Sequence, residues 1–151
     1  MKGIATWPAR FGAQVIHGDL AAPNVLLSRD RIGAVVDYQP PVPAAIAYDT
    51  SRIGCDPRTV LRLGERWPAA MAALAHAYRQ SNVGLPVTEI AGCVRWLICY
   101  PAASTYPLRP LLADEAPTDG DLATYARQRH EALRVVLDRL DGVEEKLRST
   151  R

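Results

Sequence analysis

Val15-Ile16-His17-Gly18-Asp19-Leu20-Ala21-Ala22-Pro23-Asn24-Val25-Leu26-Leu27, followed by Ala34-Val35-Val36-Asp37, is the stretch on which the reading of this chain turns. Its apolar runs read as short strands, and their ends carry Asp19, Asn24 and, thirteen residues after Asn24, Asp37. Phosphoryl transfer from a nucleotide to a hydroxyl needs this trio. One carboxylate accepts or orients the hydroxyl proton, while an amide oxygen and a second carboxylate hold the magnesium that neutralises the phosphates.

Residues 14–17, 24–28 and 33–37 are expected to be strands. Arg29-Asp30-Arg31 forms the polar turn that makes the last two a hairpin. Pro40-Pro41-Val42-Pro43 is expected to break any further strand. Helical signals follow. A short helix over residues 44–53 carries Asp49. Asp56-Pro57 starts the next, with Asp as N-cap and Pro at the first position, and Val60, Leu61 and Leu63 form its apolar side. Residues 67–80 form a helix in which Met71, Leu74, Ala75 and Tyr78 recur at steps of three and four. A central apolar helix spans residues 87–100, and Pro101 is expected to kink or end it. Residues 111–121 read as an acidic loop in which Thr118 and Asp121 resemble a weak capping box. The last helix, residues 122–147, buries Leu122, Tyr125, Leu133, Val136, Leu137 and Leu140 and exposes Arg127, Arg129, Arg134, Asp138 and Arg139. The expected class is α+β, mostly helical: a short β-hairpin carrying the candidate catalytic loop, then a helical bundle. Residues 1–151 read as a single domain, with residues 1–13 flexible.

The segment from His17 to Asp37 resembles the catalytic segment of the protein-kinase-like fold, where an H-x-D-x-x-x-x-N loop precedes a metal-binding Asp. Gly18, between His17 and Asp19, makes it more similar to the aminoglycoside phosphotransferase and choline kinase branch than to the protein kinases. The resemblance implies Asp19 as catalytic base, Asn24 and Asp37 as magnesium and nucleotide ligands, and His17 as a brace of the loop. Tyr48-Asp49, twelve residues beyond Asp37, resembles the family segment whose Asp supports the catalytic loop. The implied cofactors are Mg2+ and ATP or GTP, and the implied acceptor is a small-molecule hydroxyl. Two stretches depart from the pattern. Ala21-Ala22-Pro23 stands where the family often has His-Pro-Gly, and Tyr38-Gln39-Pro40-Pro41 follows the metal Asp in place of Trp or Phe and an acidic or small residue.

The family's nucleotide-gripping N-terminal lobe has no counterpart in the sixteen residues before His17, and the two lysines are Lys2 and Lys146. The chain therefore reads as a kinase-like C-terminal lobe, with a missing N-lobe partner or a homodimer as expected completions. A fragment that binds a ligand or partner without chemistry is the alternative.

A chain of 151 residues that is 48% apolar suffices for one core. A net charge of +2 with dispersed Lys and Arg gives no reason to expect nucleic acid as partner. No apolar run approaches the roughly 20 residues of a membrane span, so no membrane association and a cytoplasmic location are expected. Cys55, Cys93 and Cys99 read as buried free thiols. His76 and His130 read as surface residues, Trp67 and Trp96 as core, and Trp7 as a cover for apolar surface. Asp114, Glu115, Asp119 and Asp121 form an acidic stretch that would attract substrate amines.

Overall fold

The computed structural model of the chain describes residues 12–41, 43–82, 84–103 and 120–149. Trp7, Thr118, Asp114, Glu115 and Asp119 lie outside them.

Four short strands come first: β1 (Ala13–Val15), β2 (Val25–Ser28), β3 (Arg31–Val35) and β4 (Pro43–Ala45). β2 and β3 form the expected hairpin, with Val25 opposite Val35 and Ser28 opposite Arg31, and a bulge opens between Leu26 and Leu27. Arg29 takes the turn with a positive φ of 57°. β1 pairs antiparallel with β4, Ala13 opposite Ala45 and Val15 opposite Pro43. The proline run therefore does not end strand formation. Pro43 is the first residue of its strand, a position where a missing N–H is tolerated.

The expected helix over residues 44–53 starts two residues later, as α1 (Ile46–Gly54), because Ala44 and Ala45 belong to β4. In α2 (Pro57–Leu63) the Asp56 carboxylate accepts from the amides of Arg58 at 3.0 Å and Thr59 at 3.2 Å, which satisfies two of the orphan donors at a helix start. α3 (Trp67–Ser81) follows a short 3-10 turn, Gly64–Arg66. α4 (Val87–Ala103) continues two residues past Pro101, which therefore does not end it at that position. α5 is the longest helix, Gly120–Ser149.

The core lies among the helices. Val60, Trp67, Met71, Ala75, Ile90, Cys93, Val94, Val136, Val143 and Leu147 are at most 1% exposed. Val136 is buried as expected, but Leu137, expected in the same stripe of α5, is 48% exposed; Ala132, Val143 and Leu147 complete the buried face. Gly54 permits close approach of α1 and α3, since a Cβ there would sit 2.3 Å from Met71 Sδ. Trp67 Nε1 donates to the Gly54 carbonyl at 2.8 Å across the same contact. Between α4 and α5, Arg95 forms a bidentate pair with buried Glu144 at 2.7 and 2.8 Å; this charge-assisted bond outweighs the opposing effect of burial and holds the Arg95 pKa above its ordinary value. Two hydrogen bonds tie β1 and the residue before it to the helices. Gln14 Nε2 donates to the Tyr78 hydroxyl at 2.9 Å and the Gly12 amide to Glu89 at 2.8 Å. Among the described residues, no helix is long and apolar enough to cross a membrane.

Candidate active site

The loop after β1 is held by its backbone. Asp49, buried in the first turn of α1, accepts the His17 amide on Oδ2 at 2.6 Å and the Gly18 amide on Oδ1 at 3.1 Å. One carboxylate therefore grips two consecutive peptide groups. Gly18 has φ +83°, and a Cβ on it would stand 2.8 Å from the Gln39 Cβ. The turn thus requires glycine for both its conformation and its space. From the other side the Gln39 amide donates to the His17 carbonyl at 3.0 Å.

His17 is buried with both ring nitrogens engaged. Nε2 lies 2.9 Å from the Val36 carbonyl, which only accepts, so Nε2 carries the proton. Nδ1 is then the acceptor for the Asp19 amide at 3.2 Å. The Tyr38 ring packs against the imidazole, with centroids 4.2 Å apart. A ring used in this way ties β3 to the loop and has no free nitrogen with which to take a substrate proton.

The structure brings Asp19 and Asn24 together. Asn24 Nδ2 donates to the Asp19 carbonyl at 2.9 Å and approaches Asp19 Oδ2 at 3.4 Å. With Nδ2 turned toward that carbonyl, Oδ1 is the remaining arm of the amide. Asn24 ends a 3-10 turn, Ala22–Asn24, and its carbonyl accepts the Val36 amide at 3.0 Å. That bond continues the β2–β3 register by one pair, so Asp37 is the next residue on at the same end of the hairpin. Asp37 is exposed and takes a left-handed φ of 63°, which Asp tolerates better than most residues.

Arg52 was missing from the sequence reading. It sits on α1 one turn beyond Asp49 and forms an ion pair with Asp19 Oδ1. The spacing Asp49-x-x-Arg52 places both on one helix face, so α1 grips the backbone of the loop with one side chain and its carboxylate with another. This spacing was the available signal.

A cavity of about 1030 Å³ opens beside the loop. Gly18, Asp19, Asn24 and Gln39 line it together with Tyr48 and Arg52 of α1, Arg58 of α2, and Leu122, Tyr125, Arg129 and Val136 of α5. Asp37 is not in that lining. Cys55 touches the cavity but is 3% exposed, and burial pushes its thiol well above the ordinary range, which removes it as a nucleophile. Cys93 is likewise buried, its thiol pushed up to about 12 mainly by desolvation, while Cys99 is half-buried.

Among the described residues no group of three or more His, Cys, Asp or Glu is placed to hold a metal ion. Magnesium does not require one, since it is commonly bound through one or two carboxylates, water and substrate phosphates. The hard oxygens of Asn24 Oδ1 and the exposed Asp37 carboxylate fit such a partial set.

A family model described as the phosphotransferase enzyme family matches residues 4–89. No curated protein and no solved structure matches the chain. The matched residues cover more than half of the chain and include the His17–Asn24 loop, Asp37, Asp49 and Arg52. The chain belongs to the phosphotransferase enzyme family.

Proposed function

We propose that the loop from His17 to Asn24, with Asp37, serves magnesium-dependent transfer of a phosphoryl group from ATP or GTP to a small-molecule hydroxyl. The observation that carries this reading is the double grip of Asp49 on the His17 and Gly18 amides. It fixes the two peptide groups on either side of His17, just ahead of Asp19, and catalysis of this kind rests mainly on positioning and electrostatics. Asp19 would orient the acceptor hydroxyl and take its proton. Arg52 holds Oδ1 and Asn24 stands near Oδ2, so the carboxylate is set from two sides. Asn24 and Asp37 would hold the magnesium, which supplies neutralisation of the phosphate charge when bound. His17 and Asp49 keep the loop in shape.

The test is a thermal-shift titration of the chain with Mg-ATP and Mg-GTP, beside Asp37→Asn. Stabilisation that requires magnesium and is lost in the variant is expected; at 100 times Kd it amounts to about 2.7 kcal/mol. Phosphoryl transfer to a hydroxyl panel is then measured with Asp19→Ala. Transfer by that variant at the wild-type rate would sink the assignment.

A second reading, a binding module without chemistry, is favoured by one observation. Leu27, 70% exposed, and Ile32, 67% exposed, stand opposite each other on the hairpin. Contiguous exposed apolar surface marks association sites. A second lobe, a partner chain or a second copy would cover it, and light scattering reads the last of these directly.

A further inference from the structure

We infer that the acceptor taken by this cavity carries an anionic group, a carboxylate or phosphate, beside its hydroxyl and an aromatic or apolar body. The inference rests on the phosphotransferase reading above and adds the substrate class.

It comes from how the charges of the cavity wall are placed. Three carboxylates line the cavity among the described residues, and each is already compensated. Asp19 is paired with Arg52. Asp56 is 8% exposed and accepts two backbone amides at the start of α2. Asp121 lies in the first turn of α5, where the helix N-terminus favours negative charge. None of the three has the character of a pocket for an ammonium group.

The cations are placed differently. Arg58 and Arg129 line the same cavity from α2 and α5. Arg58 is the second residue of α2, the end at which the helix dipole disfavours a cation. Stability of its own helix therefore does not account for it. Its guanidinium lies over the Tyr125 ring, 5.6 Å from the centroid. A cation–π contact of this kind uses the charge of the guanidinium and none of its five N–H donors, which match a carboxylate or phosphate bidentately. Arg129 stands one turn beyond Tyr125 on the same face of α5. A guanidinium carries five donors, so one that holds a protein partner still has others to offer. Leu122, Tyr125 and Leu133 line the same cavity and supply its apolar surface. A polycationic acceptor would meet Arg58 and Arg129 at close range, in a cavity whose carboxylates are committed.

The experiment compares three probes with one body: 4-(hydroxymethyl)benzoate, 4-(hydroxymethyl)benzamide and 4-(hydroxymethyl)benzylamine. Each is titrated into the full chain by calorimetry without nucleotide. The expected order is benzoate tightest, by about tenfold over the amide, and the amine weakest. Raising the salt should shrink the benzoate preference. Arg58→Gln should cut it to roughly threefold or less while the thermal midpoint is unchanged, and Arg58→Lys should keep part of it. Equal affinities, a preference for the amine, or no saturable binding of the benzoate would overturn the inference. Phosphoryl transfer from Mg-ATP is scored separately. Benzoate preference without transfer would count against the phosphotransferase reading and leave this one standing. Preferential phosphorylation of the amine would do the reverse.

Discussion

The helical region and the strand-and-loop region of this molecule are built on opposite terms. Around Val60, Trp67, Ala75, Cys93, Val94, Val143 and Leu147 the side chains have no exposed surface. On the hairpin, Leu26, Leu27 and Ile32 present 48 to 70% of theirs. Isolated two-stranded sheets are marginal in water, and the described residues hold two of them, each made of strands of three to five residues. What keeps the loop in place is thus not sheet stability. It is α1, which sends Ile46 and Ala47 into the core and presents Asp49 and Arg52 to the loop. One helix transmits the rigidity of the packed region to a region that packs little, and polar contacts carry it.

The largest effect is expected on the packed side. Trp67→Ala removes a fully buried indole and leaves the Gly54 carbonyl without its donor at the contact of α1 with α3. A loss of about 3–5 kcal/mol is expected, read from urea unfolding. A loss under 1 kcal/mol would show that the helices are not the stabilising half.

At the junction the effect is intermediate. Asp49→Ala leaves the His17 and Gly18 amides without their acceptor, at a cost of about 1–3 kcal/mol. Magnesium-dependent nucleotide stabilisation should vanish with it, because the loop loses its anchor. A variant that keeps full nucleotide response would mean that the strands, not α1, set the loop.

How much of this was legible in the sequence follows the same division. The hairpin, the Asp56 cap and the helices over residues 67–80 and 122–147 are local, written in turn chemistry and periodicity, and they appear within a residue or two of expectation. β4 was not legible, because three residues beginning with Pro43 become a strand only when Ala13–Val15 lies beside them. Leu137 was misplaced because α5 buries one narrow face against α2, α3 and α4, and a residue next to Val136 points elsewhere. In the candidate site, the residue types were readable from spacing. For Arg52 the Asp49-x-x-Arg52 spacing shows only the shared helix face; its pairing with Asp19 joins residues 33 apart and is not encoded in any spacing.

The packed region also has a pH signature. Cys93 is fully buried and its thiol is pushed up to about 12, from an ordinary value of 9.0, chiefly by desolvation. Above pH 9.0 the unfolded chain gives up this proton and the native one keeps it. The unfolded state then binds fewer protons, so stability falls as pH rises, from about 9 until the folded thiol titrates near 12. By pH 10 the loss from this group is roughly 1 kcal/mol, and Cys55 adds to it in the same direction. Urea midpoints between pH 8 and pH 10.5 should fall less steeply for Cys93→Ala than for the wild type. Equal slopes would mean that the thiol is hydrated in the native state.

The smallest stability effect belongs to Asp37, and it is the sharpest test of the division. Its carboxylate is exposed at the end of the hairpin and its φ is 63°. Asn adopts that conformation about as readily, so Asp37→Asn should change unfolding free energy by less than about 0.5 kcal/mol. Asp37→Val should cost about 1–2 kcal/mol, because a β-branched side chain is strained in the left-handed region. If the hairpin exists to present a carboxylate and not to stabilise, Asp37→Asn is the variant in which stability and function separate completely. It would unfold at the wild-type urea midpoint and show no magnesium-dependent response to nucleotide. A variant that loses stability as well as response would place Asp37 among the contacts that hold the fold, and the contrast between the two regions would end one residue short of the site.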